Sequence, residues 1–213
     1  MKIENFSAKY DKKVLFSNFD LEVLDGLVTC ILGPSGVGKT TLLNYITSVL
    51  QSQNKKVAVC FQEPRLFEHL TVYENLKLLG LKREEINGVL KKVLLENNAD
   101  SYPNNLSGGE KQRVNFARAF ATDSDVLLLD EPFFSLDVKL KLNLINLLIN
   151  EKKGKTIVFV THDIDEALML SNKIVLINDG KILLEYKNEK PLKDREYGKI
   201  YEGRESILSV LKG

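Results

Sequence analysis

The 213 residues are 44% hydrophobic and 28% charged, an ordinary globular balance for one large domain with a sizeable core. A formal net charge of +1 gives no basic surplus for a nucleic-acid partner, and the pairs Lys55-Lys56, Lys91-Lys92 and Lys152-Lys153 read as solvated helix ends and turns. No apolar run approaches the roughly 18 residues of a membrane span and the N-terminus lacks a signal core, so a cytosolic chain without direct membrane insertion is expected.

Residues 1 to 25 alternate polar and apolar positions around Asp11-Lys12-Lys13, which predicts an antiparallel hairpin closing at Asp25-Gly26. Tyr10 stands at its turn, where an aromatic by itself is more often a half-buried strand residue than a ligand contact. The apolar run Leu27 to Leu32 then enters Gly33-Pro34-Ser35-Gly36-Val37-Gly38-Lys39-Thr40-Thr41, which fits G-x-x-x-x-G-K-[ST] at Gly33, Gly38, Lys39 and Thr40. The helix-forming run Leu42 to Leu50 follows, so the loop lies where a strand turns into a helix, as a phosphate-binding loop requires. Its glycines let successive N–H groups point inward as an anion nest, and the helix N-terminus adds its positive end. Lys39 is placed to reach the β- and γ-phosphates of a nucleotide, and the Thr40 hydroxyl to ligate Mg²⁺. Cys30 and Cys60 lie in separate apolar runs without metal-ligand spacing and read as buried, inert thiols. Val57 to Phe61 predicts a strand ending at Gln62, either at the ligand crevice of an α/β sheet or in solvent.

Residues 65 to 105 lack strand signals and carry helical periodicity at Leu70, Tyr73, Leu76 and Leu79, and again at Ile86, Val89, Leu90, Val93 and Leu94. They predict a helical insertion. After the loop Tyr102 to Asn105, Ser107 is a natural N-cap for a helix through Ala121, with Gly108 and Gly109 exposing N–H groups at its positive end. Alone this is an ordinary capped helix start; beside a phosphate loop it is a second candidate anion site. Val126 to Leu129 is continuously apolar, as in a parallel strand covered on both faces, and ends in Asp130-Glu131. Asp130 is placed to hold Mg²⁺, and Glu131 to orient and polarise a water. Asp137 should cap a leucine-rich helix from Val138 to Lys153, which Gly154 stops. Thr156 to Val160 returns as a parallel strand ending at Thr161-His162-Asp163, so Gln62, Asp130-Glu131 and His162 converge on one sheet edge around the phosphate loop. Ile174 to Ile177 and Ile182 to Glu185 form a hairpin about Asp179-Gly180, and Lys187 to Gly213 is polar with a short helix near Ser206 to Leu211.

Together these residues resemble the ATP-binding subunit of ABC transporters over nearly the whole chain. Gly33 to Thr41 matches that family's Walker A loop, Gln62 its Q-loop and Leu106 to Glu110 its signature sequence. Val126 to Asp130, with Glu131 following, matches its Walker B strand, Ser135-Leu136-Asp137 its D-loop and His162 its switch histidine. The resemblance implies an α/β P-loop NTPase core with a mostly parallel sheet, an N-terminal antiparallel β subdomain and a helical insertion subdomain. Residues 1–213 would then be one domain, with 1–64 and 114–213 as core and 65–113 as the helical subdomain carrying the signature. It implies ATP and Mg²⁺ as cofactors, with Tyr10 stacking on adenine and Gly33, Ser35, Gly36, Gly38, Lys39, Thr40 and Thr41 around the phosphates. Thr40, Gln62 and Asp130 would surround the metal, and Glu131 and His162 would be catalytic. It implies a head-to-tail dimer of two copies, each ATP held by one Walker A loop and by Ser107, Gly108 and Gly109 of the other subunit. Permease subunits would hold the pair on the cytoplasmic face of the membrane.

Within the family, Phe61-Gln62-Glu63-Pro64-Arg65-Leu66 looks like the nitrate, sulfonate and taurine importers. Two departures stand out. Lys39 to Gln62 spans 23 positions, short enough that an antiparallel strand pair is missing, and Phe134 stands where a small residue is usual and is expected to pack across the dimer interface. The leading reading is a Mg²⁺-dependent ATPase subunit of an importer. From another class, the same motifs suit an ATP-gated clamp or scaffold on a cell-division or assembly partner. A small GTPase or nucleotide kinase would need an Asn-Lys-x-Asp motif or an Arg-rich lid, and Asn172-Lys173 is followed by Ile174-Val175.

Overall fold

Strands β1 (Lys2–Tyr10) and β2 (Lys13–Glu22) form the expected antiparallel hairpin, with Lys2 opposite Glu22 and Tyr10 opposite Lys13. The computed structural model describes residues 1–11, 13–152, 154–188 and 201–212; Lys12 of the hairpin turn and Lys153 of the third lysine pair lie outside these. The remaining elements run β3 (Val28–Leu32), α1 (Lys39–Ser52), β4 (Val57–Cys60), α2 (Val72–Lys77), α3 (Arg83–Lys92), α4 (Gly108–Ala121) and β5 (Val126–Asp130). They continue with α5 (Val138–Glu151), β6 (Thr156–Thr161), α6 (Ile164–Leu170), β7 (Lys173–Asn178), β8 (Lys181–Lys187) and α7 (Tyr201–Lys212). The described fold is an α/β P-loop architecture: beside the two-stranded hairpin stands a six-stranded sheet of order β4-β5-β6-β3-β7-β8, parallel except for β8.

The period of two along each strand divides the core. Ile31, Leu128, Val158, Val160 and Val175 face α1 and the hairpin, where Phe6 stacks on Tyr45 with ring centroids 4.4 Å apart. Cys30, Leu127, Leu129, Ile157 and Phe159 face the other side, against Phe116 of α4, Leu144 and Leu148 of α5 and Leu168 of α6. Both faces are covered, which is why β3, β5 and β6 read as unbroken apolar runs. Burial raises both cysteine thiols, the inert state expected for them.

In the insertion, α2 is shorter than the Leu70 to Leu79 periodicity suggested. Thr71 begins it with a capping box, accepting from Glu74 N–H while Glu74 accepts from Thr71 N–H at 2.8 Å, so Leu70 lies before the helix. The Asn75 amide, fully buried, ties down the loop ahead through the carbonyls of Phe67, Leu70 and Thr71. Leu94 is not a core position: α3 stops at Lys92, and Leu94 is exposed with φ 56°, while Leu95 takes the buried place. Helix α4 runs unbroken across positions 113 and 114. The closing helix is longer than Ser206 to Leu211, with Ile207 buried beside α6. Lys56 pairs with Asp123 and Lys92 with Glu151 at the surface, whereas Lys152 is half-buried and donates to the Gly26 carbonyl. Among the described residues, no helix is long and apolar enough to cross a membrane.

Candidate functional site

The sheet register brings the chemistry level. Leu32 at the end of β3 is paired with Thr161 of β6, and Asp130 at the end of β5 is paired with Val160, so the phosphate loop, Asp130-Glu131 and His162 leave one edge together. Gly33 N–H donates to the Thr161 carbonyl at 3.3 Å, fixing the start of the loop. A Cβ on Gly33 would lie 2.6 Å from the Ile177 carbonyl oxygen. Gly38, at φ 105°, turns the chain into α1, and a Cβ there would lie 2.7 Å from the Phe16 ring. Among the described residues no side chain caps α1, whose N-cap is Gly38, which leaves its first-turn N–H groups open to an anion.

A cleft of about 320 Å³ opens above this edge. The loop contributes Ser35, Gly36, Gly38, Lys39, Thr40 and Thr41; the strand ends contribute Gln62, Asp130 and Glu131. The hairpin supplies Tyr10, 70% exposed, with Lys13 and Leu15, which the linear sequence did not single out. An exposed aromatic at a cleft mouth is poised to stack on a planar ring rather than to fill a core.

Lys39 is buried. Its Nζ donates to the carbonyls of Gly33 at 2.9 Å and Pro34 at 3.1 Å and lies 3.4 Å from Glu131 Oε1. Glu131 also lies 3.0 Å from His162 Nδ1, so the three side chains form one chain of contacts. Its backbone sits at φ 45°, held by Glu131 N–H donating to Val160 and by Phe134 N–H donating to Glu131, each through backbone carbonyls. Gln112 of α4 adds a donor to the Pro132 carbonyl at 3.3 Å. Gln112 is buried and has no motif of its own in a helix that reads as amphipathic.

Asp130 is 4% exposed, and burial raises its carboxyl above the usual range, although the nearby Thr40 hydroxyl acts to lower it. Its Oδ1 is buried with no hydrogen-bond partner among the described residues. An orphaned carboxylate oxygen beside a threonine hydroxyl fits a hard divalent cation that takes few protein oxygens and completes its shell from phosphate and water.

Ser107, Gly108 and Gly109 do not line this cleft. Ser107 closes a capping box with Glu110, whose carboxyl is held low by the Ser107 hydroxyl and N–H. Ser107 and Gly108 are exposed, and Gly109 packs against the Ser135 carbonyl, 3.4 Å from where its Cβ would be. Ser107, Gly108 and Gly109, expected as a second anion site, thus stand at a capped and largely solvent-facing helix start, separate from the cleft within one chain.

Beneath His162, Lys141 of α5 bridges Asp163 and Glu166. Burial works against the Lys141 ammonium, but its bonds to Glu166 and Asp163 outweigh that and raise it. Asp163 is held low, burial being outweighed by Lys141 and by the α6 N–H groups it caps.

A family model described as ABC transporter matches residues 16–134. A probable sulfate/thiosulfate import ATP-binding protein of Chlorella vulgaris is 39% identical, the match covering 85% of this chain and 88% of the relative. A spermidine/putrescine import ATP-binding protein of Thermotoga maritima is 39% identical over 99% of this chain and 61% of its own length. An Fe(3+) ions import ATP-binding protein of Fusobacterium nucleatum is 35% identical, with 85% and 56% covered, so the chain spans about three fifths of these two longer relatives. Among solved structures, a dimeric ATP-binding cassette in a post-hydrolysis state bound to ADP and Pi is 31% identical, with TM-score 0.78 over 88% of this chain and 98% of the other.

Proposed function

Since the chain belongs to the ABC transporter family and carries its ATPase fold, we propose that it is the Mg²⁺-dependent, ATP-hydrolysing subunit of an importer and works as a dimer of two copies. One observation carries the dimer: the phosphate cleft and the capped, solvent-facing Ser107-Gly108-Gly109 end lie apart within one chain. A head-to-tail copy would bring the second onto the first. The dimeric relative bound to ADP and Pi supports this reading.

In the proposed site the loop N–H groups and the α1 N-terminus receive the phosphates, and Tyr10 stacks on the base. Lys39 exchanges Glu131 for the β- and γ-phosphates. Thr40 and Asp130, with Gln62 beside them, would hold Mg²⁺, which when bound neutralises phosphate charge. Glu131, released from Lys39, orients the attacking water and takes its proton as the bond to the ADP oxygen breaks; His162 Nδ1, 3.0 Å away, holds the carboxylate in place. Gly109 and Ser107 of the other copy add fixed donors where charge develops.

Residues 65–113 act in this reading as the helical subdomain that meets the membrane partner, with 1–64 and 114–213 as the hydrolytic core. A permease segment would dock beside edge strand β4, in a groove of about 370 Å³ lined by Phe61, Arg65, Phe67, Leu79 and Arg118. That docking holds the chain at the cytoplasmic face. The cargo is proposed as a small charged solute: the printed names of the relatives include sulfate, spermidine and iron ions, and the nitrate, sulfonate and taurine likeness rests on Phe61 to Leu66 alone. The test is extraction of the tagged chain from native membranes in mild detergent, with mass spectrometry of what accompanies it. A stoichiometric multi-span permease supports the importer; a soluble or single-span partner transfers the reading to an ATP-gated clamp.

A further inference from the structure

We infer that Lys141 is a positioning residue for hydrolysis, which fixes His162 by locking the backbone on both sides of it. The inference rests on the proposed role of His162. The His162 ring is 51% exposed and touches Glu131, so packing does little to hold it, and its place depends on Thr161 and Asp163. Both neighbours belong to one closed network centred on Lys141. Lys141 Nζ lies 2.9 Å from Asp163 Oδ2 and 2.6 Å from Glu166 Oε1. The other Glu166 oxygen accepts from the buried Thr161 hydroxyl at 2.6 Å, and Thr161 Oγ1 in turn accepts from Asp163 N–H at 3.1 Å. Asp163 Oδ1 accepts from the N–H groups of Asp165 and Glu166, which fastens α6 to the same node.

Lys141 sits in the first turn of α5, its N–H bonded to the Asp137 carbonyl, and Asp137 ends the Ser135-Leu136-Asp137 loop. One ammonium therefore links the loop that packs on Gly109 to the strand end that presents His162. A displacement of about 1 Å at a reacting group can cost on the order of a hundredfold in rate, so a fixing residue outside the cleft has leverage on turnover without touching nucleotide.

The test uses the full chain with Lys141→Met and Lys141→Arg. Lys141→Met leaves two carboxylates without their cation, so Thr161→Val, which removes two hydrogen bonds and no charge, is the second variant. The chain has two histidines, which makes the His162 ring resonances easy to assign by NMR. Lys141→Met and Thr161→Val are expected to shift those resonances and to lower kcat about tenfold or more with KM for ATP and ADP affinity within about twofold, and Lys141→Arg to restore both. Unmoved resonances in either folded variant, an unchanged kcat, or a loss that falls on KM would overturn the inference. Absence of phosphate release by the unaltered chain would sink the hydrolytic reading instead, while the ring resonances still decide whether Lys141 positions His162.

Discussion

Glu131→Gln separates binding from chemistry. In the cleft Glu131 Oε1 stands 3.4 Å from Lys39 Nζ, with both side chains less than a tenth exposed. Two unit charges at that distance attract by about 5 kcal/mol at an effective dielectric of ~20, and desolvation cancels most of it. A net worth of about 1.5–3 kcal/mol, typical of a hydrogen bond to a charged group, is what a phosphate must displace. Glutamine keeps the volume and removes the competing charge, so half of that sum recovered, about 0.75–1.5 kcal/mol, makes ADP bind about four- to twelvefold more tightly. Isothermal titration with ADP measures this with no hydrolysis in progress. On the same protein, ATP turnover should fall by about 10²–10⁴, the range for loss of a general base. ADP affinity equal to or weaker than that of the unaltered chain would refute the displacement of Lys39 from Glu131, and normal turnover would refute the role of Glu131 in hydrolysis.

Asp130→Asn should stabilise the fold while abolishing Mg²⁺-dependent hydrolysis. Burial raises the Asp130 carboxyl, so the folded chain binds that proton more tightly than the unfolded chain does. The cost of the ionised form is absent below the ordinary carboxylate pKa and grows as pH rises through the folded value. The gain is therefore expected near neutrality, about 1–3 kcal/mol or ~2–4 °C in Tm per kcal/mol, and should fade in acid; equal melting gains at about pH 4 and about pH 7 would contradict it. Phe134, 55% exposed beside Ser135 at φ 63°, is expected to bury against a second copy, so Phe134→Ala should weaken ATP-dependent dimerisation about tenfold without changing monomer stability. Sedimentation of the Glu131→Gln background with and without the second substitution measures it, and equal dimer constants would remove Phe134 from the interface.

The phosphate loop was readable because its chemistry is local: Gly38, Lys39 and Thr40 are adjacent, and an apolar strand and a helix flank them. The parallel strands were readable because both faces are covered, which leaves runs such as Val126 to Leu129 without polar interruption. Leu94 misled because the helical periodicity runs on to the very residue at which the chain turns left-handed, two positions beyond the end of α3. Lys13, Leu15, Gln112 and Lys141 were invisible for another reason. Each is an ordinary strand or helix residue until a partner distant in sequence reaches it: the P-loop faces Lys13 and Leu15, the Pro132 carbonyl meets Gln112, and Asp163 and Glu166 meet Lys141. The Lys39–Glu131 contact is likewise a product of sheet order, since only the placement of β6 between β3 and β5 sets that spacing.

The central claim is that hydrolysis needs two copies, one giving Lys39, Asp130 and Glu131 and the other giving Ser107 and Gly109. The measurement that tests it most directly is phosphate release per chain at saturating ATP and Mg²⁺ over a wide range of protein concentration. A rate per chain that climbs with concentration and then levels off is the expected result. A rate per chain independent of concentration down to the lowest dilution, with the protein sedimenting as a monomer, would contradict it.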